Sequence, residues 1–213
     1  MKNNPQINRF HYDAYRSEDS KAIDAVIAQF PLATIITCDG GIKVSHIPLF
    51  RNPENRRIFG HVDAINPQFK GVHRIEGNLI FSGPNRYIPP EAYTTRQLPT
   101  WNYVTVHIDV VIEIVTELDR KLDILRMTTE RLQPSTAAAF RFDPGDPRIQ
   151  RLAPGITGLS IIALREEGRF KLSQDKSGDD QIAALNHLLA ENPENNRSLL
   201  MGLLAPHASG CGT

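Results

Sequence analysis

The stretch from Pro99 to Ile114 constrains the fold more than any other part of the chain. Asn102, Val104, Val106, Ile108, Val110, Ile112 and Ile114 recur at every second position. Tyr103, Thr105, His107, Asp109 and Glu113 fill most of the places between them. Alternation of this length gives a strand with one buried face. Such a strand is longer than most, so a bend or break near Asp109 is expected. The single tryptophan, Trp101, stands at its mouth with Asn102 and His107.

The flanking segments say what this strand packs with. Ala22, Ile23, Val26, Ile27 and Phe30 recur at helical spacing, with Ser17 placed to cap and Pro31 to stop the helix. Leu32–Thr37 and Ile42–Phe50 flank Asp39-Gly40-Gly41, which reads as a hairpin. Ile58–Val62 and Asn78–Ser82 are two further strands, the second ended by Gly83-Pro84. Residues 88–100, with Pro89-Pro90, form a loop or short helix leading into the long strand.

Glu117–Leu132 returns to helical spacing through Leu118, Leu122, Leu125, Thr129 and Leu132. Residues 133–148 read as a covering loop, with a helical turn near Ile149–Leu152. Leu159–Leu164 and Phe170–Gln174 read as a hairpin across Glu166-Glu167-Gly168. Ser177 opens a helix with Ile182, Leu185 and Leu189 inward, and Asn192-Pro193 starts another. The polar start of the chain, with Phe10, Tyr12 and Tyr15, is expected to lay its rings on a neighbour. Strands joined by tight turns, with helices at the edges, favour an α+β fold with an antiparallel sheet or barrel.

The 24 basic and 24 acidic residues cancel, so no polyanion partner is advertised. Cys38 and Cys211 make no disulfide framework. The start MKNNPQINRF lacks the apolar core of a secretory signal, and no run nears the roughly 20 apolar residues of a membrane span. A cytoplasmic protein without a membrane partner is the expectation.

Nucleotide loops, HExxH, CxxC and GxSxG are missing, so chemistry has to come from polar groups on the sheet. Ser45-His46 and the segment from His61 to Gln68 each put a histidine on a short apolar strand. With His107 these histidines are more simply sheet residues than metal ligands, and no metal site is expected. Lys171 and Ser173, two apart on a strand, would face the same way and suit a phosphate, or simply a solvated hairpin.

Taken together, SHIPL (45–49), GHVDAINPQ (60–68), FSGPNRYIPPEAY (81–93), PTWNYVTVH (99–107) and FKLSQDKSGDD (170–180) resemble the PaiB family of FMN-binding negative transcriptional regulators. The resemblance runs from about Phe10 to Leu189 and implies an antiparallel split β-barrel of the flavin-binding type with peripheral helices. Residues 1–190 would form that domain, and 191–213 a C-terminal helix with a flexible tail. It implies FMN held between the subunits of a homodimer. Ser45, His46, His61, Asn66, Gln68, Trp101, Asn102 and His107 match the cofactor-binding segments. Lys171 and Ser173 match more loosely the segment that contacts flavin in related oxidases. One departure stands out: the family's Tyr-Ile-Ser-Pro-x-Trp-Tyr reads Tyr87-Ile88-Pro89-Pro90-Glu91-Ala92-Tyr93. Loss of a hydroxyl and an aromatic wall there predicts weakened FMN binding. The resemblance adds DNA as a partner, which a local face of Arg56, Arg57, Arg126, Arg131, Arg148 and Arg151 would have to meet. The alternative is a flavin-dependent oxidoreductase of the pyridoxamine-oxidase or flavin-reductase type, with a histidine as proton donor.

Overall fold

The computed structural model describes residues 12–133, 140–190 and 195–204. Phe10, part of the 133–148 loop, the Asn192-Pro193 helix start and the tail from 205 lie outside the described residues. The strands are β1 (Arg16–Ser17), β2 (Leu32–Cys38), β3 (Ile42–Pro48), β4 (Phe50–Arg51), β5 (Ile58–Asp63), β6 (Arg74–Ile88), β7 (Thr100–Val115) and β8 (Ile156–Lys171). They hydrogen-bond in the order β3-β2-β6-β7-β8-β5-β4, with β1 on β8. The helices are α1 (Ser20–Gln29), α2 (Leu118–Leu132), α3 (Pro147–Leu152), α4 (Gly178–Leu189) and α5 (Asn195–Leu204). The chain divides into two compact units. The larger comprises Asp19–Gly83 and Thr105–Glu167; the smaller comprises Met1–Glu18, Pro84–Val104 and Gly168–Thr213.

In the larger unit the β2–β3 hairpin forms as its turn chemistry predicts. Gly40 and Gly41 carry φ of 64° and 136°, which side-chain-bearing residues rarely adopt. Leu32 pairs with Pro48 and Cys38 with Ile42. α1 begins two residues later than expected: Asp19, not Ser17, caps it by accepting from the Lys21 amide at 2.9 Å. Ser17 is instead a strand residue opposite Gly168. β5 lies tight against the β3–β4 corner, since a Cβ on Gly60 would stand 2.7 Å from the Pro48 carbonyl oxygen.

β7 does not break at Asp109. Its even-numbered residues are buried from Asn102 through Val110; then Val111 and Ile112 are both buried, and the phase moves to Val115. α2 packs on β5 by a face rotated from the predicted one. Lys121, Ile124 and Thr128 are buried, whereas Leu118 and Leu132 are exposed. Lys121 can lie inside because its stem is apolar and its Nζ donates to the carbonyls of Ala153 at 2.7 Å and Ile156 at 3.2 Å. Phe50, Phe59, Val115 and Ile124 close this part of the core.

Two predicted strand ends are not ends. β6 runs straight through Gly83-Pro84. β2 pairs only with Gly77–Phe81, so Pro84 withholds no amide from that ladder. Glu166-Glu167-Gly168 is no turn but the middle of β8, where Gly168 pairs with Ser17. A Cβ on Gly168 would meet the Phe170 ring at 2.4 Å, so the glycine makes room for an aromatic. In the smaller unit, α4 is capped by Ser177 as expected. Its inward residues are Asp180, Ala184, Leu185 and Leu188, while Ile182 is exposed. α5 packs on α4, and its Leu200 and Leu203 are buried.

Candidate functional site

The larger unit gathers three of the predicted residues around one buried amide. After β5, Asp63 and Asn66 fold the chain into consecutive side-chain-to-backbone turns, accepting from the amides of Ile65 and Gln68 at 2.9 Å each. This carries Gln68 under the β2–β3 hairpin, where it is 2 % exposed. Its Nε2 donates to the Ile35 carbonyl (3.2 Å), Thr37 Oγ1 (3.1 Å) and the Lys43 carbonyl (3.2 Å). Ser45 donates to its Oε1 at 2.5 Å, and Asn66 Nδ2 donates to Ser45 Oγ at 3.0 Å. Ser45 and Asn66 are half-buried; Gln68 is spent on holding them.

His46 follows Ser45 on β3 and therefore presents the other face. It is exposed, with Nδ1 3.0 Å from Thr34 Oγ1 on β2. His61, on β5, is half-buried, and its buried Nδ1 has no hydrogen-bond partner. Burial pushes its pKa down, so the ring is kept neutral. His107 is half-buried on β7. The three histidines thus stand on three different strands. Among the described residues no cluster of His, Cys, Asp and Glu is arranged to hold a metal ion.

The smaller unit brings together the other four. Trp101 is 52 % exposed and pairs with Tyr87, ring centroids 6.4 Å apart. Asn102, next along β7, is fully buried and donates from Nδ2 to Ser173 Oγ at 3.0 Å. Tyr93 OH lies 3.2 Å from the same oxygen. Lys171 and Ser173 do not share a strand face, because β8 ends at Lys171 and Ser173 turns back with φ 61°. Ser173 is buried, whereas Lys171 is half-buried and donates to Thr100 Oγ1 at 2.6 Å. Lys171 Nζ also stands 5.9 Å from the Tyr15 ring centroid.

Sequence reasoning missed Tyr93 and Asp180. The Asp180 carboxylate accepts from the Thr94 amide (2.8 Å) and hydroxyl (2.7 Å), the Thr95 amide (2.9 Å) and hydroxyl, and Gln97 Nε2 (3.0 Å). These bonds, the Thr95 hydroxyl foremost, hold it well below the usual carboxylate range. A Thr-Thr pair and an acidic residue three places into a helix were visible in the sequence; that they meet was not.

The arginines proposed for a DNA face are mostly paired with carboxylates. Arg56 meets Asp24, Arg57 meets Glu113, Arg126 meets Asp123 and Glu130, and Arg148 meets Asp146. Among the described residues no helix is long and apolar enough to cross a membrane.

Residues 10–165 match the family described as "Putative FMN-binding domain". "Protease synthase and sporulation protein PAI 2" of Bacillus subtilis is 24 % identical over 190 residues, covering 87 % of this chain and 91 % of that protein. Several solved structures share the fold. An FAD- and heme-binding protein from Mycobacterium smegmatis gives a TM-score of 0.60 at 16 % identity, covering 80 % of each chain. The flavocytochrome Anf3 from Azotobacter vinelandii gives 0.60 at 14 %, covering 92 % of this chain and 80 % of its own. The α+β, antiparallel split-barrel type expected from the sequence is therefore borne out, as is the PaiB resemblance.

Proposed function

We propose that this chain, which belongs to the FMN-binding domain family, binds FMN and acts as a homodimeric regulator of the PaiB kind. The observation that carries the FMN reading is the exposed Tyr87–Trp101 pair, from the end of β6 and the start of β7, in the same unit as the buried Asn102–Ser173–Tyr93 network. An isoalloxazine asks for a flat apolar surface with hydrogen-bonding groups at its rim, and its phosphate asks for a cation. Trp101 supplies the first, and Lys171, which donates to Thr100 and stands over the Tyr15 ring with no carboxylate partner among the described residues, supplies the charge. In the larger unit His46 is exposed, and Ser45, Asn66, His61 and His107 are half-buried. Within the smaller unit Asn102 bonds Ser173, and within the larger unit Gln68 holds Ser45. When bound, FMN would supply one- or two-electron redox chemistry.

The regulatory part rests on the resemblance of the sequence motifs to the PaiB family of negative transcriptional regulators. Four of the six arginines of the expected DNA face are paired with carboxylates, so control through a second component fits them better than direct contact with a DNA backbone. The test is a titration of the purified protein with FMN, read by flavin absorbance and quenching of Trp101, the chain's single tryptophan. Saturable binding is expected, with Trp101→Ala weaker by about tenfold for the lost stacking. No flavin signal at saturating FMN would overturn the reading. Reduction of bound FMN by NAD(P)H would favour the oxidoreductase over the regulator, and a monomer by light scattering would remove the dimer.

A further inference from the structure

Away from every residue assigned to FMN, the larger unit holds a cavity of about 350 Å³ with three guanidiniums on its wall. Arg51 comes from β4, Arg56 from the β4–β5 turn and Arg131 from the last turn of α2. Asp24, Ile27, Ala28, Phe50 and Pro53 complete the lining.

The charges do not cancel. Arg51 pairs with Asp24 and Glu166 at 2.8 Å each, and Arg56 shares Asp24. Arg131 has no carboxylate partner among the described residues. Three cations therefore face two anions. The Arg51 side chain is 7 % exposed, yet its Nη2 has no hydrogen-bond partner. A buried donor left unpaired costs free energy, and a ligand oxygen that reached it would recover that cost. Arg56 is held at φ 61°, a conformation that Gly or Asn would adopt more cheaply. The turn thus keeps an arginine over the cavity in a strained place.

We propose that this cavity binds a small phosphate monoester. A carboxylate is planar and satisfies one or two guanidinium forks, whereas a phosphate presents three terminal oxygens and suits three. Ile27, Ala28, Phe50 and Pro53 form an apolar wall for the organic remainder, and the volume lies within the range of small-molecule sites.

Titration calorimetry at constant ionic strength, with and without FMN, tests this with phenyl phosphate and inorganic phosphate as probes. Saturable binding is expected in both states, tighter for phenyl phosphate, with flavin absorbance unchanged. Arg131→Gln is expected to weaken phenyl phosphate by about tenfold, the worth of one exposed charge-assisted hydrogen bond. The same change at Arg120, on the same helix but outside this cavity, should leave affinity unaltered. Wild-type affinity in Arg131→Gln, or a linear response with no saturation, overturns the site. Displacement of FMN by phenyl phosphate overturns its separateness. Equal affinity for both probes overturns the apolar wall and with it the monoester. Because binding is read without FMN as well, failure here is distinct from failure of the FMN reading.

Discussion

Gln68 separates two roles that the same residue type can fill. Gln68→Ala removes the amide that bridges Ile35, Thr37 and Lys43 and the oxygen that receives Ser45. The Ile35 and Lys43 backbones lie within the β2–β3 ladder, so their carbonyls lose less than Thr37, whose residue is 1 % exposed. Each buried polar group left unpaired costs about 1–3 kcal/mol, which places the whole change at about 2–4 kcal/mol after partial relaxation. With a urea slope of about 2 kcal/mol per molar, the unfolding midpoint should fall by about 1–2 M at unchanged slope. The assay is urea unfolding of the FMN-free protein, followed by fluorescence and far-UV circular dichroism. A residue whose only task is to touch the cofactor would leave that midpoint alone and alter FMN affinity. A midpoint within about 0.2 M of wild type would therefore refute the argument that the amide network holds the hairpin.

Two further outcomes follow from individual side chains. His61 has its pKa depressed by burial from the ordinary value of 6.5, so the unfolded chain takes up its proton first. Its contribution to stability is full above that value and is lost as pH falls through the folded pKa; melting temperature between pH 5 and 7.5 should show the loss, and His61→Gln should flatten it. Asp180→Ala leaves the Thr94–Gln97 loop without its shared acceptor, and exposed Arg96 lies inside that loop. Trypsin should then cut after Arg96 faster than in wild type under native conditions; an equal rate would mean that the loop is held by other contacts.

The fold could be read where a local rule and the tertiary requirement coincide. Asp39-Gly40-Gly41 needs positive φ and has it, and the alternation from Asn102 to Val110 is the burial pattern itself. It was misread where the deciding partner is distant in sequence. Gly83-Pro84 has the composition of a stop, yet β2 pairs only as far as Phe81 and places no demand on the proline. Gly168 looks like a turn glycine until Ser17, near the other end of the chain, pairs with it. Lys121 occupies the inner face of α2 only because two carbonyls receive its ammonium, which no periodicity of apolar residues can reveal.

The candidate site obeys the same division. The resemblance placed Gln68, and residue type placed Asn102 and Ser173, among the polar site groups, but only the fold shows their bonds turned inward. That orientation bears on the altered Tyr87–Tyr93 segment. Where the family pattern has a serine and a tryptophan, Pro89 and Ala92 remove a hydroxyl and a ring. The Tyr at the end of that segment, Tyr93, remains buried against Ser173 and keeps the network under Asn102 closed. The aromatic at its start, Tyr87, remains exposed beside Trp101. The substitutions therefore spare both the support and one flat apolar surface, and the expected consequence is weaker stacking on FMN rather than a collapsed site.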